Sequence, residues 1–209
     1  KLKSPEEIML PLAPYQPAKV AAEAARPLGA ELPRSVPQGR QRTLAMLLNT
    51  ALHEALTKYP QAIVFGEDIA RKGGVYNLTA RLWETFGPGR VFNTLLDEQG
   101  ILGLAIGAGH LGFLPIPEIQ YLAYLHNAED QVRGEACSLQ FFSNDQFRNP
   151  MVIRIASFGY QKGFGGHFHN DNSVAVLRDV PGLVIAAPAR GEDAVRMLRT
   201  SLALATTCG

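Results

Sequence analysis

One carboxylic acid in this chain stands where it could exchange a proton with a bound ligand. Glu98 follows the apolar segment 91–96, and a glycine-punctuated apolar stretch begins two residues later at Gly100. A carboxyl group at such a strand-to-helix junction is costly to bury without a partner, and it is a natural proton donor or acceptor for a bound heterocycle. The spacing fits an ordinary helix start equally well, because Asp97 and Glu98 suit the positive end of a helix dipole. Spacing alone favours that second interpretation.

A second candidate group lies in the segment 158–172, which is rich in glycine and histidine. His167 and His169 stand two residues apart there, and Asp171 follows. Imidazole changes charge near neutral pH and serves as an acid, a base or a hydrogen-bond donor. The alternative is a glycine loop exposed to water. His-x-His-x-Asp is a conceivable set of metal ligands, but no second cluster supports it, so the sequence predicts no metal site in this chain.

The composition narrows the class of protein. The chain has 209 residues, of which 46% are hydrophobic and 19% charged, with a formal net charge of +1. These values are typical of a soluble globular protein and give no reason to expect nucleic acid or a membrane as a partner. Cys137 and Cys208 are far apart and lack a metal-ligand spacing. A disulfide between these two cysteines remains an alternative, but free thiols in a reducing cytoplasm are the simpler expectation.

Strand-like and helix-like segments alternate along most of the chain. Thr43 is expected to cap a helix that Pro60 stops. The predicted strands are residues 62–66, 91–96, 115–119, 151–156 and 183–187, and the further predicted helices are residues 79–86, 100–112, 121–142 and 192–205. This alternation predicts an α/β fold, a three-layer sandwich with a mostly parallel sheet and helices on both faces.

The two ends of the chain suggest a domain within a longer polypeptide. Seven of the 14 prolines lie in the first 40 residues, so residues 1–41 are expected to form a linker or arm, with a short helix at residues 18–25. Residues 42–209 form the predicted domain. The sequence stops where another strand would be expected, which predicts truncation at the C-terminus.

Several motifs in order resemble one known family, the β chain of the thiamine-diphosphate-dependent, decarboxylating component of 2-oxoacid dehydrogenases. The similarity spans about residues 43–205. It rests on residues 66–69 (GEDI), 73–76 (GGVY), 82–83 (LW), 90–100 (RVFNTLLDEQG), 112–118 (GFLPIPE), 130–131 (DQ) and 181–185 (PGLVI). The resemblance implies the pyrimidine-binding module shared with transketolases. The proline-rich start suggests the further hypothesis that this module is the second half of a fused α–β polypeptide, with residues 1–41 as the joint.

The resemblance also implies roles for four residues. Glu98 matches the glutamate that holds the aminopyrimidine ring of the cofactor, where a buried, protonated carboxyl promotes the imino form of the ring. The carbonyl of Leu96 matches the acceptor for the ring amine. Tyr124 matches the aromatic residue that stacks on the ring, although a core position is a competing interpretation. His169 matches an active-site histidine, and its neighbour His167 remains an alternative.

The same resemblance implies partners. In the family a separate α-type module carries Gly-Asp-Gly and a later Asn, which hold the diphosphate and magnesium, and no such motif occurs here. The chain is therefore expected to work only with that module, in a homodimer or heterotetramer, and to pass an acyl group to a lipoyl-bearing acyltransferase. Pyruvate, branched-chain oxo acids and 2-oxoglutarate all remain open as substrates.

Two other functions compete with this one. A transketolase or deoxyxylulose-phosphate-synthase-like enzyme shares the glutamate, but the matches at residues 130–131 and 181–185 count against it. A non-catalytic module that kept the fold is the other alternative. The presence of both Glu98 and Tyr124 argues against this loss of function.

Overall fold

The computed structural model describes Ser4 and residues 16–32, 43–159 and 165–208. The helices are α1 (Pro17–Ala25), α2 (Leu44–Lys58), α3 (Leu82–Phe86), α4 (Glu98–His110), α5 (Leu122–Leu125), α6 (Leu139–Phe142), α7 (Gly166–His169), α8 (Ala175–Arg178) and α9 (Gly191–Cys208). The strands are β1 (Ala62–Gly66), β2 (Val91–Asn93), β3 (Leu114–Ile119) and β4 (Arg154–Ile155). Short 3₁₀ turns (Val75–Asn77 and His126–Ala128) and a π-helical turn (Gln131–Ala136) complete the elements.

The four strands form one parallel sheet in the order β2-β1-β3-β4. Val64 of β1 aligns with Val91 on one side and with Ile116 on the other. Every residue of β1 is buried, as expected for a central strand covered on both faces. The α/β class and the parallel sheet predicted from the sequence are confirmed.

Each face of the sheet has its own apolar core. On the first face, Val64 and Ile116 pack with Leu52 of α2 and with Leu198 and Leu202 of α9. On the second face, the intervening residues of β1 enter a separate core. This core contains Ile63, Phe65, Ile101, Leu102, Leu122, Leu125 and Val132. The side chains of β1 therefore alternate between two helical layers, which confirms the three-layer arrangement.

Local sequence explains the regular helices. The hydroxyl oxygen of Thr43 accepts a hydrogen bond from the Met46 amide at 3.3 Å, and α2 ends before Pro60, as predicted. The expected short helix near the N-terminus is also present as α1. Its Val20 packs against Ala203 of α9, so this part of the chain lies on the domain. The other residues expected to form a linker, 1–3, 5–15 and 33–41, lie outside the described part of the chain.

The single helix predicted over residues 121–142 is wrong. This stretch breaks into α5, a 3₁₀ turn, the π-helical turn and α6. Gly134 lowers the helix propensity in the middle of it. The Ser138 hydroxyl donates to the Gly134 carbonyl at 2.6 Å and so competes with the regular backbone pattern.

The sheet is also smaller on both sides than the sequence predicted. The strand expected at residues 91–96 ends at Asn93, and Leu95 and Leu96 are 83% and 84% exposed. The strand expected at residues 151–156 is regular only over β4. The Val152 amide still donates to the Pro115 carbonyl at 3.0 Å, but Pro115 and Pro117 of β3 have no N–H with which to continue the ladder.

No strand forms at residues 183–187, where Val184 is 66% exposed. Among the described residues, no helix is both long and apolar enough to cross a membrane.

Candidate active site

The candidate residues gather where the parallel strands end. In open α/β sheets, ligands bind in the crevice beyond the carboxyl ends of the strands. Glu67 follows β1, Glu98 begins the helix after β2, Tyr121 follows β3 and Ser157 follows β4. The fold thus brings side chains from four separate segments to one edge of the sheet.

The backbone at this edge adopts unfavourable conformations. Asp68, Tyr76 and Phe158 have φ angles of 56°, 57° and 56°, in the left-handed region that non-glycine residues seldom occupy. Each such residue costs roughly 1–3 kcal/mol, and such residues concentrate at functional sites. Gly66 has φ 151°, and a Cβ there would lie 2.7 Å from the carbonyl oxygen of Glu118. The end of β1 therefore approaches β3 more closely than any side chain at this position would permit.

Glu98 is the first residue of α4. The Asp97 carboxylate caps this helix by accepting a hydrogen bond from the Gly100 amide at 3.0 Å. The Glu98 side chain is half-buried, and its Oε2 accepts a hydrogen bond from Asn127 Nδ2 at 3.3 Å. This is less burial than the sequence analysis expected, because the preceding Leu95 and Leu96 project into solvent and leave the carboxyl open on that side.

A second carboxyl group lies beside Glu98. Glu67 is 7% exposed. Burial raises its pKa above the ordinary range, and the negative charges of Glu98 and Asp68 act in the same direction. The position of Glu67 directly after a buried strand is compatible both with capping a turn and with lining a ligand site. The structure makes it a buried carboxyl group that tends to keep its proton, next to one that is half-buried.

His169 lies against two tyrosines, whereas His167 does not. The His169 ring stacks on Tyr121 with centroids 4.0 Å apart and planes inclined at 22°. Its Nε2 is 3.3 Å from the hydroxyl oxygen of Tyr124. His167 is exposed, and its ring contacts that of Phe168. Of the two histidines left open by the sequence, His169 is therefore the one at the strand-end edge.

Leu96 and Tyr124 have the groups that the resemblance requires. The Leu96 carbonyl accepts no backbone hydrogen bond from the described residues and remains available to a ligand donor. Tyr124 is half-buried, so one part of its ring stays accessible. Its ring also lies near those of Tyr121 and Phe168, at 6.2 and 6.0 Å between centroids.

The sequence analysis missed Tyr121 and Asn127. Burial raises the pKa of Tyr121 to about 12, and a hydrogen bond with Tyr76 contributes. The aromatic spacing of Tyr121 and Tyr124, three residues apart just after β3, was a usable signal. Asn127 gave none, because its contact with Glu98 joins positions 29 residues apart.

Residues 121–129, which we term the bridging segment, connect the two halves of this site. Its Asn127 contacts Glu98, and its Tyr121 and Tyr124 contact His169. Within the described ranges, no group of three or more His, Cys, Asp or Glu side chains is arranged to hold a metal ion. The site thus offers carboxyl groups, an imidazole, aromatic faces and a free carbonyl, which suit a planar heterocycle with polar edges.

Comparison with protein families gives a match over most of the chain. Residues 40–207 match the family described as transketolase, pyrimidine binding domain. The matched range includes all the candidate site residues named above.

Several curated proteins are similar over the same region. The 2-oxoisovalerate dehydrogenase subunit beta 2, mitochondrial, of Arabidopsis thaliana is 39% identical over 164 residues, which is 78% of this chain and 45% of that protein. The pyruvate dehydrogenase E1 component subunit beta of Staphylococcus epidermidis is 36% identical over 167 residues, 78% of this chain and 49% of that protein. The 3-methyl-2-oxobutanoate dehydrogenase subunit beta of Mycobacterium tuberculosis is 35% identical over 162 residues, 77% and 46% respectively. The chain spans about half the length of the curated relatives it matches.

Proposed function

Because this chain belongs to the transketolase pyrimidine-binding domain family, we propose that it is the pyrimidine-binding part of a thiamine-diphosphate-dependent 2-oxoacid dehydrogenase. The enzyme would decarboxylate a 2-oxo acid, pyruvate or a branched-chain acid, and transfer the acyl group to a lipoyl carrier. The observation that carries the proposal is the half-buried Glu98 beside the buried Glu67 at the carboxyl edge of a parallel sheet.

The residues at this edge fit the cofactor. Glu98 would hydrogen-bond a nitrogen of the aminopyrimidine ring, the Leu96 carbonyl would accept from its amine, and Tyr124 would stack on its face. Bound thiamine diphosphate supplies the electron sink that lets carbon dioxide leave a 2-oxo acid. A carboxyl that gives a proton to the ring nitrogen must carry that proton when the ligand arrives. The neighbouring Glu67 is buried, and burial together with the negative charge of Glu98 raises its pKa.

Asn127 would orient the carboxyl group that meets the cofactor, and His169 would contact the substrate. The Asn127 amide holds Glu98 Oε2 and so fixes the direction in which the carboxyl points. His169, held against Tyr121, would donate to the substrate carboxylate or to the bound acyl group. Both residues reach the site from segments that follow β3 and β4.

The diphosphate and magnesium are proposed to bind an α-type module on the same or another chain. Oxygen ligands close to the phosphates are what magnesium requires. Dimer or heterotetramer assembly, a lipoyl-bearing acyltransferase partner and a cytoplasmic location belong to the same proposal. The mitochondrial label in the name of one relative belongs to that protein.

The test replaces Glu98 by Gln in the complete protein assembled with its diphosphate-binding module. Carboxyl-to-amide substitution preserves shape and removes the proton, so decarboxylation of pyruvate or a branched-chain oxo acid should fall by roughly 10²–10⁴-fold. The matched control is Glu84→Gln, an exposed carboxyl on α3 that should leave the rate unchanged. Full activity in Glu98→Gln would sink the proposed role. Activity only with a ketose phosphate donor would instead assign a transketolase-like reaction.

A further inference from the structure

A short segment carries His169 into the site. Among the contacts that it makes with the described residues, two points of contact with the bridging segment bear on the position of His169. Residues 165–173, which we term the histidine segment, contain α7 and the turn after it. The first point is His169 itself, whose ring stacks on Tyr121 and whose Nε2 meets the Tyr124 hydroxyl. Gly165 makes this approach possible, because it has φ +69° and any Cβ there would overlap the His169 ring.

The second point is Asp171, two residues further along. Its Oδ2 lies 3.5 Å from His126 Nε2 of the bridging segment. The other ring nitrogen of His126, Nδ1, contacts the carboxylate of Glu129. His126 thus stands between two carboxylates, one on its own segment and one on the histidine segment.

Asp171 is itself well fixed. Its Oδ1 accepts hydrogen bonds from the Ser173 amide at 3.1 Å and the Ser173 hydroxyl at 2.5 Å. These bonds hold the pKa of Asp171 below its ordinary value, and the charge of His126 adds to the effect. The Asp171 carbonyl oxygen also accepts from the Ser157 hydroxyl at 3.3 Å, which ties the segment to the chain after β4.

We propose that Asp171, paired with His126, positions His169 against Tyr121 at the active site. The inference rests on the proposed function for the role of His169, but the contact itself does not. Only Asn170 separates Asp171 from His169, so a fixed Asp171 leaves the imidazole little freedom to leave the Tyr121 ring. His126 and Asp171 are thus positioning residues that act through another side chain.

We expect loss of the His126–Asp171 pair to have a modest effect on the rate, because partly exposed ion pairs contribute little free energy. His126 has a side-chain exposure of 41% and Asp171 of 17%. A misplaced catalytic group nevertheless costs rate beyond the strength of the contact that held it. We expect a reduction in kcat of about 2- to 5-fold for loss of the pair, with the affinity for thiamine diphosphate unchanged.

The experiment compares Asp171→Asn, His126→Gln and their double variant in the complete assembled protein. Asp171→Asn keeps an acceptor for Ser173 and removes the charge that faces His126. Glu84→Gln is the control, because it removes an exposed carboxylate on α3, outside the bridging segment and the histidine segment. The readouts are kcat, cofactor affinity and the NMR resonances of the His169 ring, which report on its stacking with Tyr121.

The proposal is supported if both single variants shift the His169 resonances and lower kcat, the double variant has no larger effect, and Glu84→Gln changes neither. Unshifted His169 resonances in His126→Gln, an exposed position where folding is not in doubt, would overturn the proposal. The ring resonances can be read without turnover. If the wild-type protein showed no decarboxylation while the resonances shifted as expected, the proposed function would fail and the positioning contact would stand.

Discussion

The two sides of the sheet are built differently. One face is covered by α2 and α9, and we term it the helical face. These two helices are long and regular, and they pack on the strands through Leu52, Leu198 and Leu202. The site half consists of the carboxyl edge and residues 121–187, and its helices are short and interrupted. It also contains the buried acids, the paired histidines and most of the aromatic contacts. Both sides have an apolar core, but the site half also contains the buried carboxyl groups of Glu67 and Glu118.

The difference shows where stability and function are located. Apolar burial is non-directional, so long regular helices can provide it. A hydrogen-bonded site needs each donor and acceptor at a fixed place. Glu118 and Arg154 illustrate the second kind of order, because both are largely buried and pair across β3 and β4. Arg199 and Glu54 form the corresponding pair on the helical face, at 2.5 Å and with Arg199 half exposed.

The largest contrast is expected from removing one arginine on each side. Arg154→Met leaves the Glu118 carboxylate buried without a counter-charge and should cost about 3–5 kcal/mol of unfolding free energy. Arg199→Met removes a partly exposed pair and should cost about 0–1 kcal/mol. Urea unfolding of the two variants, at the pH where the wild type is most stable, measures both losses.

A double variant tests the reason for the first loss. If the cost comes from an unpaired buried charge, Arg154→Met combined with Glu118→Gln should recover part of the stability. Equal losses for Arg154→Met and Arg199→Met would show that the site half is not organised by its buried polar contacts.

The sequence predicted the helical face well because its signals are local. The Thr43 cap, the stop before Pro60 and the apolar run of β1 each specify structure within a few residues. The failures at residues 121–142 and 151–156 have two different causes. Within residues 121–142, Gly134 and its hydrogen bond from Ser138 interrupt a pattern that has the period of a helix. The strand expected at residues 151–156 is shortened by Pro115 and Pro117 of β3, which are distant in sequence.

Leucines on the two faces offer the next comparison. Leu52 and Leu102 are fully buried, one in each core. Truncation to alanine should cost about 2–5 kcal/mol in both cases. The loss should be greater for Leu52→Ala, because long helices cannot collapse into the cavity, whereas the short segments around Leu102 can relax. Denaturant unfolding decides this, with the exposed Leu111→Ala as the control. A larger loss for Leu102→Ala would mean that the interrupted half is the more rigid one.

The site was predictable only in part, for a similar reason. Glu98, Leu96, Tyr124 and His169 were singled out through motif similarity, and their roles remain predictions. The contacts of Asn127 with Glu98 and of His126 with Asp171 join segments 29 and 45 residues apart. No periodicity encodes such contacts, because they depend on how the chain returns to the sheet edge after β3 and β4.

The smallest expected effect concerns the dependence of stability on pH. It compares the two sides directly, because the contributions of one glutamate on each side should change with pH in opposite directions. Burial raises the pKa of Glu67, so above its ordinary pKa the unfolded chain loses this proton first, and stability falls as pH rises through the folded pKa. The hydrogen bond from Arg26 lowers the pKa of Glu23 on the helical face, so its contribution is present above the ordinary pKa and is lost as pH falls through the folded value. At pH 8, Glu67→Gln should therefore be more stable than the wild type and Glu23→Gln less stable, and both differences should shrink as the acids become protonated near pH 4. Urea midpoints between pH 4 and pH 8 measure them, with Glu84→Gln as the exposed control. A loss of stability in Glu67→Gln at pH 8 would mean that a favourable partner, rather than burial, governs the acid beside Glu98.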